Sequence, residues 1–285
     1  MKVTIDRSYG LRLARGPLAL PLVLALVCLA SPAPAQIYSL NDGNSAATVS
    51  PNTQAGMSSW TVQGVNELSQ QWFWYALGNN APASIDTISP AAVSQPTANT
   101  LNTSYSQPGF NMSVGYTLTG GATVPVGQYA ASDMGESIRI NNTSASPLMF
   151  HFYEYSDFDL QGVPGPDTVI LQGTPRGFND AFQTYGTGGL TETIAAPPAN
   201  EAEAANEFTT LAKLNGGHPV TLNNNPAAVG DVTWAFEWDF TLNPGTSFLI
   251  SKDKYLSVQV VPEPSAVGLA ALGLVAFAFR LRRKA

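Results

Sequence analysis

The sequence predicts an all-β fold: an antiparallel β-sandwich or jelly roll with one short helix. Phe110, Met112, Val114, Tyr116 and Leu118 alternate with Asn111, Ser113, Gly115, Thr117 and Thr119. Val232, Trp234, Phe236, Trp238, Phe240 and Leu242 alternate in the same way with Thr233, Ala235, Glu237, Asp239 and Thr241. A period of two is the mark of a strand with one buried face. Gly/Pro/Asn turns such as Asn41-Asp42-Gly43, Val163-Pro164-Gly165-Pro166 and Asn243-Pro244-Gly245 separate many short apolar runs, which suits a sandwich.

Along the chain, weaker strands are expected near 58–63, 84–88, 136–141, 148–156, 167–172, 189–194, 246–250 and 255–261. The run Gln71-Trp72-Phe73-Trp74-Tyr75-Ala76-Leu77 is aromatic at both parities and reads as a central strand buried on both faces. The Ser/Pro/Thr/Asn/Gln-rich stretch 89–108 reads as a surface connection or an edge strand. One helix is expected over 200–214, because Asn200 caps it, Glu203 completes a capping box, and Ala204, Phe208, Leu211 and Ala212 share a stripe. The tryptophans Trp60, Trp72, Trp74, Trp234 and Trp238 fall on apolar faces and are assigned to the core.

Charge divides the 285 residues into three parts, expected as a signal peptide (1–35), a body (36–261) and a tail (262–285). Both ends carry a net +3, while the body sets five basic residues against eighteen acidic ones, a net −13. Such a surface repels phosphate backbones, so nucleic acid is excluded as a partner. The single cysteine, Cys28, lies in the N-terminal apolar run, so the body has no disulfide, thiolate zinc site or cysteine nucleophile.

The N-terminal part has a basic stretch to Arg15, an apolar core from Pro17 to Ala30, and small residues at Ala33 and Ala35 before Gln36. That order fits a secretory signal cleaved by signal peptidase after Ala35. Val27 before Cys28 argues against lipidation of that cysteine. At the other end, Val261-Pro262-Glu263-Pro264-Ser265 precedes an apolar segment, 266–279, and a basic end with Arg280, Arg282, Arg283 and Lys284. Fourteen helical residues would span roughly 21 Å, short of the ~30 Å hydrocarbon layer. The basic cluster holds its end in the cytoplasm, and the prolines leave an extended strip of backbone accessible.

This tripartite order resembles the PEP-CTERM sorting signal of exported bacterial proteins. The resemblance implies recognition by an exosortase, a membrane protease or transpeptidase, in outer-membrane bacteria that make exopolysaccharide. It also implies transient residence in the inner membrane and then delivery to the cell surface or beyond. The body resembles other bodies carrying the same anchor, through Leu40–Asn44, Gln71–Tyr75, Asp231–Trp234 and Ile250–Lys254. That likeness implies no activity.

The chemistry of the body is sparse. There is no Gly-Lys-Ser/Thr phosphate loop, Gly-x-Gly-x-x-Gly, His-Glu-x-x-His or Gly-x-Ser-x-Gly, and His151 and His218 are its two imidazoles. His218 falls in a turn after the expected helix and reads as a solvated surface residue. Across 150–159, Phe150, Phe152, Phe158 and Glu154 are expected on one strand face, with His151, Tyr153, Tyr155, Asp157 and Asp159 on the other. Asp157, Asp159 and Asp167 offer oxygen ligands suited to calcium, but their number favours a solvent-facing strand ending in an acidic loop. Glu237 and Asp239, two apart on an expected exposed face, or Glu154 with a distant acid, would be the carboxylates of a glycosidase. The leading expectation is a surface or matrix protein with a structural or adhesive role in exopolysaccharide, with no catalytic residue and no cofactor. A carbohydrate-binding module, with calcium as its one candidate cofactor, is the alternative, and a glycan-active enzyme the third reading.

Overall fold

The structure, a computed structural model, describes residues 36–260. The expected signal peptide and the sorting tail from Val261 lie outside the described residues. In chain order the first strands are β1 (Tyr38–Asp42), β2 (Ser45–Ser50), β3 (Gly56–Val62), β4 (Val65–Asn66), β5 (Gln70–Leu77) and β6 (Ala83–Ser84). They are followed by β7 (Ala92–Thr97), β8 (Thr100–Gln107), β9 (Phe110–Gly120), β10 (Tyr129–Asn142), β11 (Leu148–Asp157) and β12 (Asp167–Thr174). Then come β13 (Gly177–Tyr185), β14 (Gly188–Ala196), β15 (Glu201–Asn206), the helix α1 (Thr209–Leu214), β16 (Ala227–Gly230), β17 (Val232–Leu242) and β18 (Ser247–Gln259).

They form a β-sandwich of two nine-stranded sheets. The first runs β1-β2-β3-β5-β11-β17-β15, with β4 beside β3 and β6 beside β5. The second runs β16-β12-β13-β14-β18-β10-β9-β8-β7. Pairing is antiparallel except between β3 and β5. The longest ladder joins β10 to β18, in register from Tyr129 opposite Gln259 to Asn141 opposite Ser247. Among the described residues no helix is long and apolar enough to cross a membrane.

The alternating residues of β9 and β17 face the inter-sheet core as their pattern predicts, and all five tryptophans are buried in it or under the chain that covers the first sheet. The first sheet is buried on its outer side as well. There α1 and the segment after it lie over β5, β11 and β17: Leu214, Val220 and Leu222 are buried. Trp74 Nε1 donates to Asn215 Oδ1 at 3.2 Å, and the Tyr153 hydroxyl donates to the Val220 carbonyl at 2.8 Å. Hence β5 is central and buried on both faces, as its doubly aromatic sequence requires.

Charge also enters this core. Lys252 and Lys254 of β18, both fully buried, lie between Glu136 of β10, Glu192 of β14 and Glu154 of β11 in the opposite sheet. Lys254 Nζ stands 2.5 Å from Glu154, 3.1 Å from Glu136 and 3.2 Å from Glu192. Lys252 pairs with the same three carboxyls and rests 5.4 Å above the Phe73 ring. The indole of Trp234 donates to the second oxygen of Glu192 at 3.0 Å. Three carboxylates against two ammonium groups would leave one uncompensated charge. Burial and the nearby Glu192 hold Glu154 well above the usual carboxylate range, while burial and the adjacent Lys254 hold Lys252 well below the usual lysine range, so both groups lean towards their neutral forms.

Four sequence expectations need correction. Residues 200–214 are not one helix: 201–206 form β15, an edge strand on β17, and only 209–214 are helical. Ala202 and Ala204 fit the pleat against Phe236 and Trp234, and this packing overrides the helix propensity of a Glu/Ala-rich stretch. Phe208, at φ 63°, then ends any helical path from the strand. The expected strand at 84–88 is a 3-10 turn at Ile85–Thr87 after β6. The runs 246–250 and 255–261 belong to one strand, β18, continuous through the lysines. Finally, the outer faces of β11 and β17 are solvent-facing only at one end: Tyr153, Tyr155, Asp157, Thr233 and Glu237 are buried, while Met149, Asp239 and Thr241 are exposed. The stretch 89–108 does form strands, β7 and β8, at the sheet edge.

Replacing Lys254 by Met leaves buried carboxylates short of a counter-charge and costs about 3–5 kcal/mol. The expected outcome is a lower urea midpoint with an unchanged slope, recovered in large part by Lys254→Met with Glu136→Gln, since Glu136 pairs with both lysines.

Candidate functional site

The outer face of the second sheet carries short polar side chains where β8, β9, β10 and β18 run side by side. Gly115 and Gly135 sit on this face at neighbouring rows, opposite Ser137 and Thr117 respectively. A Cβ on Gly115 would come to 3.0 Å from Ser137 Oγ and 3.1 Å from Asn102 Oδ1, so the row has no room for side chains at that point. The sheet surface dips there into an open trough of about 540 Å³. Asn102, Thr117, Ser137, Ser251 and Asp253 supply its polar groups, while Pro96 and Ala195 form part of its walls. On the inward side of the same strands lie Glu136 and Lys252 of the buried charge cluster. One row along, Asp133 stands opposite Tyr255, whose ring is exposed. Burial, then the adjacent Asp253, pushes Asp133 up to about 6. The trough has the size of a small-ligand site, and its hydroxyl, amide and carboxyl groups can donate to and accept from a polyhydroxylated molecule. Sequence reading missed it, because Gly115 and Gly135 read only as members of a polar face.

The sequence-predicted acids are placed differently. Glu154 belongs to the buried cluster and reaches no solvent. Glu237 is fully buried: the Leu222 N–H donates to its Oε2 at 2.8 Å. Asp239 is partly exposed and engages His151, with Nδ1 to Oδ1 at 2.5 Å, and Glu237 lies 3.8 Å from the same nitrogen. Burial, with Asp239 adding to it, pushes Glu237 up to about 7. This group is a His/Asp pair over a buried carboxyl rather than two carboxyls across an open cleft. His218 is exposed, as a turn residue should be.

Of the predicted calcium ligands, Asp157 and Asp159 end β11 and stand with Asp231, from the turn between β16 and β17, their ligand oxygens within 4.8 Å of one another. Asp167 is buried and accepts a hydrogen bond from Gln183 instead. Sequence reading missed Asp231, which only the pairing of β11 with β17 brings to this end. Asp157 is not part of a solvated loop, being 6 % exposed, and burial followed by Asp159 and Asp231 pushes it up to about 7.

Residues 260–284 match the PEP-CTERM protein-sorting motif. The chain carries this sorting signal. It takes in Val261–Ser265 and the basic residues Arg280, Arg282, Arg283 and Lys284, and marks an exported protein processed by an exosortase-type enzyme. Sequence comparison with curated proteins finds no match. Among solved structures, the body of this PEP-CTERM protein is similar to a putative aldose 1-epimerase from Escherichia coli K12. Identity there is 12%, with 78% of this chain and 98% of that one covered and a TM-score of 0.54. It is also similar to a bacterial glucoamylase complexed with acarbose, at 10% identity and a TM-score of 0.53. That match covers 85% of this chain, which spans 35% of the glucoamylase chain. A galactose mutarotase related enzyme from Lactobacillus acidophilus matches at 8% identity, 80% and 99% coverage and a TM-score of 0.50. At these identities the likeness is one of fold.

Glu237 should leave a mark on the pH dependence of stability. A carboxyl whose native value stands near 7, against 4.5 when unperturbed, keeps its proton longer in the folded chain. Its stabilising effect is therefore complete at acid pH and lost as pH rises from about 4.5 towards about 7. In thermal melts between about pH 5 and about pH 8, Glu237→Gln should lose less stability than the parent protein. Equal losses in the two proteins would show that Glu237 titrates normally.

Proposed function

We propose that the body of this exported protein is a non-catalytic glycan-binding module with a structural or adhesive role in an extracellular polysaccharide layer. The observation that carries this reading is the open trough on the second sheet, with hydroxyl, amide and carboxyl groups at its floor and the exposed Tyr255 ring one row away. Sugars are recognised by such polar groups beside an aromatic face. The solved structures of similar fold are named for sugar chemistry, the epimerase and the glucoamylase among them, which supports a sugar-shaped ligand. The sorting motif supports the address, since it belongs to an exported protein.

A catalytic reading is weaker in chemical terms. Glycoside hydrolysis places two carboxyls roughly 5–9.5 Å apart on either side of the scissile bond. Asp133 and Asp253 are diagonal neighbours on one open sheet face rather than groups on opposite walls of a cleft, and Glu237 is buried beneath Leu222.

Two measurements test the proposal. In a glycan array and titration calorimetry, the protein should bind acidic or neutral exopolysaccharide fragments, and Ser137→Trp, which fills the trough from an exposed position, should weaken binding at least about tenfold, or about 1.4 kcal/mol. Binding unchanged by Ser137→Trp would remove the trough from consideration. In a host with the matching exosortase, intact-mass analysis should show a new terminus near Pro264 and no Arg-rich end. Replacing Pro262, Glu263 and Pro264 together by Ala should leave the unprocessed form in the inner membrane. A native protein still ending at Ala285 would overturn the sorting part.

A further inference from the structure

The acids at the end of β11 are held together without a counter-charge. Asp157, Asp159 and Asp231 place ligand oxygens within 4.8 Å of one another, and the backbone N–H of Glu207, between β15 and α1, donates to the Asp231 carbonyl at 2.8 Å, which brings a fourth acid to this end. Among the described residues none of the four enters an ion pair with a lysine, arginine or histidine. Acids on an open loop tolerate this because water screens them. Here Asp157 is more than nine-tenths buried and its Oδ1 has no hydrogen-bond partner. Two further oxygens next to it are orphaned in the same way. Thr233 stands opposite Asp157 across the β11–β17 ladder, and Tyr155 precedes it on the same strand face. Both are fully buried, and neither hydroxyl has a partner. Buried polar oxygens in folded proteins are as a rule satisfied, so this convergence points to a bound species that accepts lone pairs.

We propose that Asp157, Asp159, Asp231 and Glu207 bind a calcium ion, with the Thr233 hydroxyl as an additional oxygen. The donors are all hard oxygens, without the imidazole or thiolate that zinc or copper would favour. Four carboxyl groups and one hydroxyl fall short of the six to eight oxygens calcium takes by a number that bidentate binding and water can fill. Magnesium demands a tighter octahedron and is the poorer fit to acids drawn from three separate segments. The ion would tie the end of β11 to the β16–β17 turn and to the start of α1, the element that leads into the cover of the first sheet. Neither the trough nor the sorting signal takes part, so this site stands or falls apart from the proposed function.

The test uses the protein stripped with a chelator and then titrated with calcium chloride or magnesium chloride. At about 5 mM calcium, above the ~10⁻⁴–10⁻³ M affinities of extracellular calcium modules, the melting temperature should rise by about 3–5 °C. Magnesium should give less than half that shift. Asp159→Asn with Asp231→Asn should abolish the calcium response, while its metal-free melting temperature equals or exceeds that of the stripped parent, because like-charge repulsion has been relieved. Terbium provides a second readout on the parent protein: its emission, excited through nearby aromatic rings such as Tyr155, should appear on binding and be displaced by calcium. A melting temperature indifferent to calcium, a calcium shift retained in the double variant, or no displaceable terbium emission would each overturn the site.

Discussion

The structure depends on two lysines that have no access to water. Lys252 and Lys254 point from the middle of β18 into the space between the sheets, where Glu136 and Glu192 meet them from their own sheet and Glu154 from the opposite one. Apolar contact alone would allow the two sheets to slide or rotate against each other at little cost, since hydrophobic burial has no direction. A buried ion cluster does have direction. One step of register in β18 would turn both ammonium groups to the outer face and strand three carboxyls in the core. The pairing of β10, β14 and β18 and the orientation of β11 across the sandwich are thus fixed together. The outward positions of β9, β10 and β18 that line the trough are the other half of the same alternation.

The second constraint is the covering of the first sheet. Its outer side offers Tyr153, Glu237, Thr233 and His151, groups that would suit water. The chain from 207 to 226 folds over most of them instead, inserting Val220 and Leu222 and bonding one Glu237 oxygen and the Tyr153 hydroxyl to backbone groups. The two faces of the molecule differ as a result: the first sheet is roofed, while the second remains open across its polar trough.

How much of this could be read in advance follows from what each segment packs against. β9 and β17 were legible because one of their faces is apolar without interruption, and β5 because both are. β1 and β2 escaped notice because β1 buries only Leu40 fully and β2 has Ser45 and Ala47 at core positions, which gives too weak an alternation. β13 mixes Asn, Asp and Gln with its two phenylalanines and gives no better a signal. β15 was misread because Glu and Ala favour a helix when nothing else is known, and its strand partner lies thirty residues downstream. The lysine-bearing middle of β18 read as a gap between two strands, since charges in a strand normally mean solvent. At the acid cluster Asp157 and Asp159 were visible as neighbours in sequence, whereas Asp231 arrives through pairing and Thr233 through register. Burial of the outer face was illegible for the same reason: its roof is made by the short helix α1 and by a following stretch whose own sequence, apart from Val220 and Leu222, is that of a polar turn.

The position of β18 has a mechanical meaning. Its last residue, Gln259, is followed directly by the residues that match the sorting motif, so the segment addressed to the membrane leaves the body from a central strand and not from an edge. On one side β18 is bonded to β10 along its whole length, and on the other to β14. A pull along its axis must shear both ladders at once, with two lysines locked into carboxylates midway, whereas a pull on an edge strand opens one bond at a time. Load applied at that end therefore spreads through the interior of the second sheet before any strand can peel away.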